Sequence, residues 1–180
     1  QAYKIYGNIG ELDYLSFGIK ENRYSEDGTM ISLGEIDMRD MEIENSGDFI
    51  LYLGGAETSK NYLPMPKSAN MLIVRQTYKN RIKQTHAKIN IKNLDSKPIP
   101  KLLTTEKLEN QLNQTLAFVS GTASTFLKWV NEFKLNHKNS LPLGDQSFFQ
   151  AAGGDPKICY LHGYYEFNED ECLQIITDIP

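Results

Sequence analysis

The residues of this chain that could do chemistry are few and scattered. Arg75 comes first, inside the stretch NYLPMPKSANMLIVRQTYKNR over residues 61–81. It falls in an apolar run, where a charge is expensive unless it is paired. In MLIVRQTY the alternate sets are Met71, Ile73, Arg75 and Thr77 against Leu72, Val74, Gln76 and Tyr78. Both sets begin apolar and turn polar, the pattern of a strand leaving a core with Arg75 near its mouth. Two roles fit that position. Arg75 pairs with a nearby carboxylate while its stem covers apolar surface, or it anchors the carboxylate or phosphate of a ligand.

The second candidate is aromatic. Tyr160, His162 and Tyr164 alternate on one face of an expected strand, opposite Leu161, Gly163 and Tyr165, with Phe167 beyond. Such a row stacks a sugar or another flat ligand, or it packs a core. Tyr62, in the phrase Asn61-Tyr62-Leu63-Pro64, either plugs the end of the core or lies beside a cleft. Arg75, Tyr62, Tyr78, His162 and Tyr164 therefore form the candidate ligand-binding set. His86 and His137 read as solvated. Asp145 and Glu166 are the carboxylates to consider for a glycosidase-like pair, but their spacing fixes no distance between them. The sequence holds no G-x-S-x-G, H-E-x-x-H, Walker loop or G-x-G-x-x-G, so no catalytic residue is assigned. It holds no C-x-x-C or Cys/His cluster, so neither metal nor cofactor is expected. Gly153-Gly154-Asp155-Pro156 reads as a turn, not a phosphate cradle.

The elements that must position these residues follow from hydrophobic period. YKIY over 3–6 reads as a short strand. Leu15, Phe17 and Ile19 alternate with Ser16, Gly18 and Lys20, which predicts a strand with one buried face. A turn is expected at SEDGT, a short alternation at Met41 and Ile43, then strands in FILYL, MLIVRQTY and AKINIKN. After the proline-marked SKPIPK the period becomes helical. Leu108, Leu112, Leu116 and Val119 form one stripe, with Thr104 as N-cap and Glu106 in the first turn. SGTAST is expected to interrupt the helix, before a second stripe of Phe126, Trp129, Val130 and Phe133. ICYLHGYYEF and ECLQIITDI then read as a hairpin around NEDE. That hairpin must join the first sheet to bury its apolar face.

The spacing predicts a mainly β, antiparallel β-sandwich over residues 1–180, with a helical insertion at about 104–139. The length of 180 residues suits one domain, and 40% apolar residues can fill a core. A net charge of −4 argues against a nucleic-acid surface. No run approaches the roughly 20 apolar residues of a membrane helix. The chain starts at Gln1 with no secretory signal, so the compartment stays open, with the cytoplasm favoured. A last strand ending at Pro180 would leave an open edge, so further strands are expected beyond it, or self-association through that edge. Cys159 and Cys172, set apart by hairpin register, are expected as two buried free thiols.

Several phrases together resemble a family of uncharacterised bacterial proteins, the one labelled domain of unknown function 1214. They are Tyr14-Leu15-Ser16-Phe17, Gly47-Asp48-Phe49, Asn61-Tyr62-Leu63-Pro64-Met65-Pro66, Leu72-Ile73-Val74-Arg75 and Tyr78. Tyr160, Gly163, Tyr165, Phe167 and Glu171-Cys172-Leu173-Gln174-Ile175 follow in the same order. The family usually has Trp where this chain has Tyr62, and Ala where it has Cys172. The resemblance implies a jelly-roll-like sandwich with inserted helices, and more chain beyond Pro180. It implies no reaction, substrate or cofactor. Two functions stay open. One is a binding or structural module of a larger bacterial protein, taking a small anionic or carbohydrate-like ligand. The other is an enzyme acting on a small organic or carbohydrate substrate, with Arg75, His162 and tyrosines lining a pocket at the sandwich end.

Overall fold

The computed structural model describes residues 1–57, 59–95 and 102–176. Seven strands come first among these: β1 (Ala2–Asn8), β2 (Tyr14–Arg23), β3 (Thr29–Asp37), β4 (Asp48–Gly54), β5 (Tyr62–Leu63), β6 (Met71–Thr77) and β7 (Lys88–Asn93). Two helices follow, α1 (Thr105–Asn136) and α2 (Gln146–Ala151). One sheet has the order β5-β4-β1-β7 and the other β3-β2-β6. All pairings are antiparallel except that of β4 with β5. The fold is mainly β.

Period two does most of this work. In β4, Phe49, Leu51 and Leu53 are buried while Asp48 and Ile50 are exposed. With Ile5 of β1, Leu63 of β5, Leu15, Phe17 and Ile19 of β2 and Ile36 of β3 they make one core shared by both sheets. Phe17 meets Phe49 across it at 5.7 Å between ring centres. Burying such rings is the main stabilising term, roughly 1.5–3 kcal/mol for each large apolar side chain.

Several expectations are corrected. β2 is buried on both faces, since Ser16 and Lys20 are as inaccessible as Phe17. Met41 and Ile43 belong to no strand; the strand of this region lies earlier, at β3. SGTAST does not interrupt α1, which runs unbroken through it. Its glycine serves close approach instead. A Cβ on Gly121 would stand 1.8 Å from the Tyr24 carbonyl oxygen, so only glycine lets the helix cross the β2–β3 turn there. Thr104 does cap the helix, its hydroxyl accepting from the Lys107 N–H. The apolar stripe packs only in part. Phe133 is buried, whereas Leu112, Leu116 and Val119 stay more than half exposed.

Among the described residues the expected C-terminal hairpin does not form. A turn does form, the Glu171 N–H donating to the Asn168 carbonyl at 3.1 Å, but residues 157–176 contain no strand. Their backbone groups bond elsewhere. Gln146 grips Tyr160 at both N–H (2.8 Å) and carbonyl (2.9 Å). Asn139 does the same at Glu166, and its own N–H donates to the Tyr164 carbonyl. Backbone satisfied by side chains and loops has no need of a sister strand. Both helices accordingly follow the described strands in the chain and are not inserted between them; the strand edge expected at Pro180 lies outside the described residues. Residues 96–101 and 177–180, where the SKPIPK connection and the end of the hairpin were expected, lie outside the described residues. Cys159 and Cys172 are free thiols, as expected, but both are exposed.

Candidate functional site

Arg75 does not open to solvent at a strand mouth. It sits on β6, the edge strand of the second sheet, in register with Ser16 of β2, which in turn pairs with Asp37 of β3. The next row on this face is Ile73, Gly18 and Glu35, and the row after it is Met71, Lys20 and Ser32. The β2–β3 register shifts between Ile19 and Lys20, which leaves Leu33 of β3 as the extra residue of a bulge. Gly18 leaves the room. A Cβ on it would lie 3.0 Å from Glu35 Oε1 and 3.2 Å from Lys20 Cε. The outer face of the second sheet therefore carries charge where the sequence pattern suggested water.

A loop after α2 covers this face. Arg75 donates from Nη2 to the Gly153 carbonyl at 2.7 Å, and its Nη1 lies 3.5 Å from Asp155 Oδ2. Tyr14 and Ser16 each donate a hydroxyl to the same Asp155 oxygen at 3.2 Å. Lys20, fully buried, donates to Glu35 and to Ser32 Oγ. At the far edge Lys157 bridges Asp37 (2.7 Å) and Asp40 (2.5 Å), while Arg39 grips both oxygens of Asp37. The Asp155 N–H donates to the Tyr160 hydroxyl at 2.8 Å, which ties the charged face to the ring cluster beyond.

The carboxyl groups are pushed in different directions. Burial raises Glu35 above the ordinary 4.5, against the hydrogen bond and charge of Lys20. Burial also acts to raise Asp155, but the Lys157 N–H, the Arg75 charge and the Ser16 hydroxyl act against it, and its carboxyl is held below 3.8. Hydrogen bonds from Arg39, and then from Lys157, overcome burial and hold Asp37 well below the usual range. Burial lifts the Tyr14 phenol above 10.0, with the Asp155 charge adding to it, so Tyr14 stays a donor.

A pH dependence follows. Asp37 and Asp155, being depressed in the fold, contribute stability that is present above the unfolded value of 3.8 and is lost as pH falls through their folded values. Glu35, being raised, works the other way and contributes only where it keeps its proton. Urea unfolding should therefore show stability falling between about pH 4 and about pH 2, with Asp37→Asn flattening that fall. Equal slopes for wild type and variant would contradict the assignment to Asp37.

The candidate residues are not brought together. Tyr62 lies on β5, its hydroxyl donating to the Gly55 carbonyl at 3.2 Å. His162 packs in a ring cluster, 4.4 Å from Phe149 and 5.7 Å from Trp129 between centres, and its Nδ1 is buried without a partner. Tyr164 lies beneath the Lys134 ammonium at 5.4 Å. Arg75 and His162 thus belong to different clusters, joined through Asp155 and Tyr160. The Tyr78 and His86 rings lie 4.8 Å apart between centres, tilted by 34°, and the pair lines a groove of ≈ 370 Å³ with Gln76, Thr77 and Arg81. Asp145 caps α2 and Glu166 pairs with Lys138, so neither partners the other. The sequence pattern missed Lys20, Glu35, Asp37 and Asp155. The one signal it held was opposite charge at alternate positions of neighbouring strands, and that needs the register to be read. Among the described residues no group of three or more His, Cys, Asp or Glu could hold a metal ion, and no helix is long and apolar enough to cross a membrane.

The chain is similar to a crystal structure of an uncharacterised protein from Burkholderia cenocepacia, with a TM-score of 0.88 and 32% sequence identity. The match covers 94% of this chain and 47% of that one, so this chain spans about half the length of its structural neighbour. No family model and no curated protein matches the sequence.

Proposed function

We propose that this chain is a ligand-binding module of a longer bacterial protein, a jelly-roll-like β-sandwich of the type in the family labelled domain of unknown function 1214. Its ligand is a small anion with a flat body, held in the groove of Tyr78, His86 and Arg81. The observation that carries this reading is the composition of that groove. A close pair of tilted rings, a guanidinium and an amide side chain line ≈ 370 Å³, and no carboxylate lines it. Such a volume suits a small molecule, and rings beside an arginine suit a flat acid. The two sheets around one core support the sandwich, and the 47% coverage of the neighbour supports a module within a longer chain.

The enzyme reading rests on Glu35 and Asp155, whose environments push their acidities apart in the manner of an acid and a base. Asp155 belongs to the chain's own 152–157 loop, and both side chains are buried, which favours binding over catalysis. Benzoate, followed by saturation-transfer NMR, tests the groove. Wild type is expected to give ring-proton transfer, and Arg81→Gln or Tyr78→Ala to weaken binding about tenfold or more, the scale of one lost charge-assisted contact. Transfer of equal strength in all three proteins, or none in wild type, would overturn this assignment.

A further inference from the structure

The contacts of Asp155 are those of a bound ligand. Its side chain is fully buried, and the sheet holds it by a single oxygen. Oδ2 accepts from Tyr14 and Ser16 at 3.2 Å each and faces Arg75 Nη1 at 3.5 Å. Oδ1 accepts only from the Lys157 N–H at 2.9 Å, two residues along its own loop. Arginine binds carboxylates best through two parallel N–H···O bonds. Here Nη2 is spent on the Gly153 carbonyl, and Nη1 is buried with no hydrogen-bond partner at all. A loop carboxylate has been fitted to a set of three donors that it does not saturate.

We propose that Tyr14, Ser16 and Arg75 form a carboxylate-binding site on the outer face of the second sheet, that Asp155 occupies it as an internal ligand, and that a small free carboxylate competes with Asp155 for it. The three donors come from two adjacent strands, β2 and β6, so the sheet places all of them. The loop supplies the occupant and, at the Gly153 carbonyl, one acceptor for Arg75. This site is separate from the Tyr78 groove and does not depend on it.

Formate is the probe, because it replaces the group that Asp155→Ala removes. Melting of wild type, Asp155→Ala and Asp155→Ala/Arg75→Met is followed in sodium formate and in sodium chloride at equal ionic strength. Formate should raise the melting temperature of Asp155→Ala by about 3 °C or more over chloride, as ligand linkage requires. The rise should vanish in the double variant and be much smaller in wild type, where Asp155 competes. An Asp155→Ala protein that responds alike to both salts would overturn the proposal. If Asp155→Ala does not fold, Asp155→Asn, Arg75→Met and their double form a cycle in urea. A coupling of about tenfold or more in the unfolding constant supports the site, and additivity refutes it.

Discussion

Arg75→Met should unfold at a far lower urea concentration than wild type. Methionine keeps much of the arginine stem's packing and removes the charge and the donors. What it leaves behind decides the size of the effect. Asp155 is fully buried, its carboxyl is held ionised partly by the Arg75 charge, and the Gly153 carbonyl loses its donor. Breaking a buried pair from one side costs about 3–5 kcal/mol, whereas a surface pair is worth about 0–1. Arg75 is 20% exposed and its partner 0%, so the larger range applies. For a chain of 180 residues that loss is a fall of roughly 6–20 °C in melting temperature. A variant melting within about 2 °C of wild type would mean that Asp155 finds water or another donor and that the pair is ornamental.

The second large effect is at Lys20. Its ammonium is fully buried, and its partners are Glu35 and Ser32. Lys20→Met leaves Glu35, itself only 8% exposed, with the Ser32 hydroxyl at 3.3 Å and the Arg75 guanidinium at 4.0 Å as its remaining partners. The cost should again be about 3–5 kcal/mol, softened to the extent that Glu35, already raised by burial, takes up a proton. The double variant Lys20→Met/Glu35→Leu should then recover most of the loss. Two apolar groups of similar volume can replace a buried ion pair at little or no cost. Gly18 makes that fit plausible to test, because the space between these side chains exists only for want of a Cβ there. Denaturant midpoints of the two proteins decide it. A double variant as weak as Lys20→Met alone would show that the pair is needed for shape as well as charge balance.

Both variants probe a face that the amino-acid order did not announce. Period two in Leu15, Phe17 and Ile19 correctly marked a core strand, because alternation reports the face against the core directly, and the β-rich runs FILYL and MLIVRQTY also fall in strands. It says nothing of the other face. Ser16 and Lys20 have the types of solvated residues and become buried because a loop some 140 positions later closes over them, with Asp155 reaching back to Ser16. The N-cap Thr104 and the helical period of α1 were equally legible, being local. The two thiols are free as expected, but both are exposed, and the hairpin register from which that state was inferred does not form among the described residues.

Where local pattern and long-range contact disagreed, the contact won. Gly121 and its neighbours have the composition of a helix break, yet α1 continues, because a missing side chain is also what lets a helix touch the Tyr24 carbonyl. The segment from Ile158 alternates as a strand should, yet Gln146 and Asn139 take up its hydrogen bonds before a sister strand could. Arg75 shows the same division most sharply. That a charge inside MLIVRQTY needed a partner followed from the cost of burying it. Which partner it has depends on strand register and on where one distant loop returns, and neither is written in the spacing of residues along the chain.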